Sequence, residues 1–145
     1  MSNIYRHRPL AADELLGRVD PASGRVYQTR FGPDRRVGWV EYSSGKVYRL
    51  RLGPDEYVGR VDQTTGRIYR SRFGPDEYVG RAGRDGKVYR HVALGADQYL
   101  GRVADLRSLA EGGAAMLLFF LEEESEAAQT REEAEAEATE DDETD

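Results

Sequence analysis

The residues able to do chemistry are few, and they recur. The chain has 145 residues with two histidines and no cysteine, so disulfides, thiolate nucleophiles and zinc-thiolate sites are excluded together. His7 and His91 hold equivalent places in two segments that align residue by residue, YRHRPLAADELLG (5–17) and YRHVALGADQYLG (89–101). Thr29, Leu50 and Ser71 fill the same place elsewhere, which marks a variable strand position rather than a proton shuttle. Gly-Pro-Asp recurs at 32–34, 53–55 and 74–76, with Gly95-Ala96-Asp97 as a variant. Calcium needs several oxygen ligands in one compact loop, and one Asp with an occasional Glu56 or Glu77 falls short of that. An Asp after Pro bonds back to its own turn instead. The glycines do not form a phosphate loop, and no serine elbow or histidine-based triad is present. We therefore expect no catalytic activity, no cofactor and no metal.

The arginines and tyrosines are more regular. Arg18, Arg60, Arg81 and Arg102 each follow a marker glycine, with Trp39 taking the place in one unit, while Arg6, Arg49, Arg70 and Arg90 follow Tyr5, Tyr48, Tyr69 and Tyr89. Guanidinium groups beside aromatic rings can hold phosphates and stack on bases. They can equally pair with Asp20, Glu41, Asp62 and the Pro-Asp turns to give a well-solvated sheet face. The interaction surface expected from sequence is therefore Arg18, Trp39, Arg60, Arg81, Arg102, Tyr48, Tyr69, Tyr89, Arg70 and Arg90.

These residues are positioned by an internal repeat. Gly17, Gly38, Gly59, Gly80 and Gly101 are spaced twenty-one residues apart without drift, and Gly59–Val79 reads GRVDQTTGRIYRSRFGPDEYV. Each unit holds two strand-like runs. In Tyr57–Asp62, period-two alternation sets Tyr57, Gly59 and Val61 against Val58, Arg60 and Asp62. In Arg67–Phe73 it sets Tyr69 and Phe73 against Ile68, Arg70 and Arg72. The runs are joined by short polar turns that end in glycine, a hairpin signal, and by Gly-Pro-Asp connections that stop a strand. The fold expected is an all-β repeat of about ten antiparallel strands. The first lies at residues 3–8 and the last near 98–105.

The chain begins with the second half of a unit and ends its repeats with the first half of another, so closure would complete a fifth hairpin from the two ends and remove both edges. A closed barrel or ring is therefore favoured over an open meander covered by a helix or by an oligomer partner. Ten strands enclose more space than wall side chains fill. The candidate filler is the run Ala114–Leu121, with Met116, Leu117, Leu118, Phe119, Phe120 and Leu121 as its apolar docking segment. Ser108 and Glu111 have capping-box spacing, which predicts helix onset near 109, and Gly112 and Gly113 weaken that helix by about 1 kcal/mol each. A short strand over 116–121 is the alternative. The plug could also serve as an oligomer seam.

Three regions follow: the repeat domain 1–105, the apolar segment 106–121 and an acidic tail 122–145. Residues 1–105 carry nineteen Lys/Arg against thirteen Asp/Glu, whereas 106–145 carry two against fourteen. The tail reads as helix to about residue 138 and as disorder over 140–145. No run approaches the roughly twenty residues of a membrane-spanning helix, and the first residues lack a secretory pattern, so a cytoplasmic protein is expected. The hairpin length and aromatic-glycine punctuation resemble choline-binding cell-wall repeats and MORN repeats. The paired aromatics of the first and the Tyr-Gly-x-Trp core of the second are missing, and neither supplies a residue, ligand or partner. The reading is a noncatalytic β-repeat scaffold or protein-interaction module. Its alternatives are polyanion or nucleic-acid binding through the arginine and tyrosine ladders, tuned by the acidic tail, and small-ligand binding in a barrel lumen.

Overall fold

The computed structural model describes the backbone of residues 1–143 and the side chains of residues 1–138. Its strands are β1 (Ser2–Arg6), β2 (Glu14–Val19), β3 (Arg25–Gln28), β4 (Arg35–Glu41), β5 (Lys46–Arg49), β6 (Glu56–Val61), β7 (Arg67–Arg70), β8 (Glu77–Ala82), β9 (Lys87–Arg90) and β10 (Gln98–Ala104). Each pairs antiparallel with its sequence neighbours, and β1 pairs with β10 through Ile4↔Val103 and Tyr5↔Arg102, which closes the barrel. The two half-units thus make the fifth hairpin. The turn glycines Gly24, Gly45, Gly66 and Gly86 have φ of 77–88°, the left-handed conformation that closes each tight turn.

One feature of the strands departs from simple alternation. A β-bulge interrupts β2, β4, β6, β8 and β10 at the same place, so that Val47 faces Gly59 while Tyr48 faces Tyr57. The extra residue lets Val58 and Gly59 both be buried and moves Tyr57 out of the face of Gly59 and Val61. Tyr57 instead lies against Tyr48 on the outer wall, with ring centroids 5.6 Å apart. The second run is also shorter than its pattern suggests. β7 stops at Arg70, and Phe73 belongs to the following loop.

The lumen is filled by one helical rod. It comprises α1 (Leu109–Ala115), a π-helical turn (Met116–Phe120) and α2 (Leu121–Glu143). Ser108 caps α1 by accepting the Ala110 amide, 3.2 Å away. Glu111 leaves the usual capping-box partner and accepts the Arg107 amide instead. The two glycines do not divide the rod. A Cβ on Gly112 would strike Ala82 and one on Gly113 would strike Val61, so glycine is what lets this turn pass between the walls.

Wall and rod are complementary level by level. At the entry end the wall is bulky, with two buried rings, Ile4/Val26/Val47/Ile68/Val88 and Val19/Val40/Val61/Ala82/Val103, and the rod there is Ala110, Gly112, Gly113, Ala114 and Ala115. At the next level the wall is bare and the rod is bulky. Met116, Leu117, Leu118, Phe119 and Phe120 point at Gly80, Gly59, Gly38, Gly17 and Gly101, one side chain to each repeat.

Five units set the glycines about 72° apart, whereas an α-helix turns about 100° per residue, so five α-helical residues would overrun a full circle and two would compete for one glycine. A π-turn bonds i→i+5 and turns less per residue. Its Leu121 amide donates to the Met116 carbonyl. The five-part wall thus explains why the helix is unwound here. α2 leaves by the opposite mouth and continues through Glu143, past the limit near residue 138 read from sequence. Thr144 and Asp145 lie outside the described residues.

Candidate interaction surfaces

The outer wall carries a repeated triad of tyrosine, arginine and aspartate. Arg18, Arg60, Arg81 and Arg102 lie over Tyr27, Tyr69, Tyr89 and Tyr5, with guanidinium-to-centroid distances of 4.1–4.4 Å. Each also pairs with the loop aspartate of a neighbouring hairpin: Asp34 at 3.0 Å, Asp76 at 3.4 Å, Asp97 at 3.2 Å and Asp13 at 3.0 Å. Trp39 keeps the pattern without a charge, stacking on Tyr48 at 4.2 Å and donating its indole N–H to Asp55 at 2.9 Å. The hydrogen bond from Arg102 holds the Asp13 carboxyl below its ordinary range, against slight burial. Burial opposes the same shift at Asp97, but the hydrogen bond from Arg81 and the Val92 amide prevail.

Three of the five seams between hairpins also align like charges. Lys46 faces Arg60, Arg67 faces Arg81 and Lys87 faces Arg102. Directly opposed cations weaken a sheet pair. Lys46 and Arg67 lie 5.9 and 5.5 Å from the rings of Tyr57 and Tyr78. Among the described residues, none of Lys46, Arg67 and Lys87 has a carboxylate partner.

The second arginine series sits elsewhere. Arg6, Arg49 and Arg90 ring the exit mouth and pair with Glu123, Glu122 and Glu124 as the rod emerges, and Arg70 binds Glu77 at 2.7 Å. Arg49 also donates to the Leu117 carbonyl at 3.2 Å, and Arg90 to the Val79 carbonyl at 2.9 Å. The two series therefore do not share one surface: the first girdles the outside, and the second lies at the mouth, where all but Arg70 clasp the plug. Burial raises the Glu123 carboxyl above its ordinary range, and Arg6 only partly offsets it. The clefts beside the emerging rod, about 180–330 Å³, lie at this rim. The lumen, the proposed small-ligand cavity, is occupied by residues 109–121 of the chain itself.

The entry end is tied by Glu111, which is fully buried. It accepts from Ser2 Oγ at 2.9 Å and from the Tyr42 hydroxyl at 2.7 Å. Burial and that bond to a carboxylate push the Tyr42 hydroxyl well above its ordinary value of 10. His7 and His91 occupy matching places at the exit end, 3.6 Å from Asp13 and 3.4 Å from Asp97. Among the described residues, no group of His, Asp or Glu is arranged to hold a metal ion, and no helix is long and apolar enough to cross a membrane.

One feature was missed in the sequence reading. The five long loops around the exit mouth each carry one large apolar residue in full solvent: Leu10 (108% exposed), Phe31 (108%), Leu52 (105%), Phe73 (110%) and Leu94 (100%). The signal was present, because an apolar residue stands just before Gly-Pro-Asp in the first three full units. Period-two alternation places Phe73 in a strand instead. Gly32, Gly53 and Gly74 beside these tips have φ of 90–98° with open space around them, so they serve only the loop conformation. The expected docking segment Met116–Leu121 is buried in the barrel, while the loop tips are the most exposed large apolar residues among the described ones, ahead of Met1, Leu15 and Val92. Comparison of the chain with protein-family models, curated proteins and solved structures found no match to any of them.

Proposed function

We propose that the protein is a noncatalytic interaction module: a rigid barrel, internally plugged, that presents the five apolar loop tips as a crown for a protein partner. The crown carries this reading. Single exposed apolar residues are common on protein surfaces, but one large apolar side chain at each of five equivalent positions around one mouth forms an organised patch. The tips touch no core, so folding does not account for them. The test is site-specific photo-crosslinking from position 73 in the native cell, with position 64 on the entry-end turn as control. A discrete adduct from the crown that disappears on replacing Phe31, Leu52 and Phe73 by serine is expected. Identical products from both positions would defeat the reading.

A second reading, binding of a polyanion along the outer wall, is favoured by the seams where Lys46, Arg67 and Lys87, which have no carboxylate partner among the described residues, stand opposite arginines. An anion between the strands would relieve that repulsion. It predicts salt-sensitive binding of a single-stranded oligonucleotide, lost in the K46Q/R67Q/K87Q variant. No binding at 50 mM salt, a chosen low ionic strength at which screening is weak, would end it.

A further inference from the structure

Resting on the interaction-module reading, we propose that the crown and α2 form a single docking surface, and that its partner is a basic amphipathic protein segment. Such a partner is apolar where it meets the loop tips and rich in Lys or Arg where it meets the helix. The argument starts from position. α2 rises through the mouth that the five loops surround, so nothing can seat on the crown without lying beside the helix. Its 23 residues extend about 34 Å at 1.5 Å each.

The charge of that helix restricts what can sit there. Between residues 122 and 138 it carries eight glutamates and one arginine, Arg131. Glu122, Glu123 and Glu124 are clasped by the rim arginines, but residues 124–138 are exposed. The helix has no apolar stripe, so it cannot be covered by an apolar helix as in a coiled coil. Charge complementarity therefore favours a partner that brings cations.

The same charge disfavours the other occupants of an apolar crown. An anionic bilayer would be repelled by the helix before the tips touched it. A second copy meeting crown to crown would bring an identical acidic helix alongside, and like charges would oppose the contact.

The test uses the full chain and a synthetic probe, an 18-residue amphipathic Leu/Lys helix, followed by fluorescence anisotropy. A Ser/Lys peptide of equal charge is the control. The tip variant replaces Phe31, Leu52 and Phe73 by serine, and the helix variant carries Glu126→Gln, Glu132→Gln, Glu133→Gln and Glu137→Gln. Unchanged melting of both variants confirms intact folding. The expected result is that each variant weakens Leu/Lys binding by tenfold or more, while the tip variant leaves Ser/Lys binding unaltered.

Three results would overturn the proposal: Leu/Lys binding insensitive to the tips, tip-dependent binding to vesicles containing phosphatidylserine, or tip-dependent self-association by sedimentation. Its failure is separable from failure of the module reading. A partner crosslinked through Phe73 but indifferent to the four Glu→Gln changes leaves the module and removes the basic partner. Absence of any crown-dependent adduct removes both.

Discussion

Replacing Gly59 by alanine tests how closely the wall strands pack at the level of the marker glycines. A Cβ at this position would come within 3.0 Å of the Tyr69 carbonyl oxygen, the backbone of the adjacent strand, and would stand 2.9 Å from Leu117 Cδ1. The leucine can shift, but the carbonyl cannot without opening the β6–β7 ladder. Overpacking costs about 1–3 kcal/mol, and each ladder bond stretched adds about 1 kcal/mol. We expect a total loss of roughly 3–5 kcal/mol, or about 6–20 °C in melting temperature at about 2–4 °C per kcal/mol for a domain of this size. Gly74→Ala is the matched control. Gly74 has φ +98° with nothing within 4 Å, so the substitution adds only left-handed strain, about 1–2 kcal/mol. Guanidinium unfolding followed by far-ultraviolet circular dichroism, with unchanged m-values, measures both. If Gly59→Ala costs no more than Gly74→Ala, the strands of the wall are not close-packed at the marker glycines, and the reason for glycine there fails.

The remaining predictions concern the rod and its anchor. Truncation after Ser125 removes helix whose described side chains, through residue 138, are all exposed, so melting should move by no more than a few degrees. Deletion from Leu109 onward uncovers both valine rings and removes the six side chains of Met116–Leu121, worth on the order of 10 kcal/mol before entropy. Calorimetry should find no cooperative transition, and a stable monomer would refute the plug. Tyr42→Phe removes the hydroxyl that donates to Glu111 and should cost about 1.5–3 kcal/mol at neutral pH, the range for a hydrogen bond to a charged group. Because the folded hydroxyl titrates above its unfolded value of 10, its contribution is complete below pH 10 and declines as pH rises further. The wild type should therefore lose its advantage over Tyr42→Phe in strong alkali, and a constant difference from pH 7 to 11 in chemical denaturation would contradict that linkage.

Much of this architecture was legible because the repeat is strict. The half-unit offset between Tyr5–Gly17 and Gly101–Asp105 is a topological statement, and it pointed to closure before any side chain was placed. The filler was legible for a different reason, since an apolar run beside a ten-stranded wall has few other places to go. What period-two reasoning could not reach was the bulge. Val58 and Gly59 are adjacent and both face inward, which strict alternation forbids, and so alternation groups Tyr57 with Gly59 and Val61 on one face. The same rule carried Phe73 into a strand and concealed the crown. The two arginine series look alike in sequence because each follows a marker residue. They separate only once the strands are tilted into a barrel, with one series on the girdle and the other at the mouth.

A five-part wall also poses a problem that the repeat alone does not solve. If all five units were identical, the rod could enter in five rotational settings of equal energy. The degeneracy is broken where the units differ. At the entry end the residue after the strand acid is Pro21, Tyr42 or Gln63 in successive units, and only the second and third reach the rod. Tyr42 donates to Glu111, and Gln63 accepts from Ser108 at 2.8 Å while donating to the Tyr42 carbonyl at 2.7 Å. At the exit, Gln28 replaces the rim arginine of the other units and Arg70 is held by Glu77, leaving Arg49, Arg6 and Arg90 to receive Glu122, Glu123 and Glu124. The positions that break the repeat therefore set the rotation of the plug, which in turn fixes the bulky pair Phe119 and Phe120 against Gly17 and Gly101. Regular positions build the barrel, and irregular ones key the rod to it.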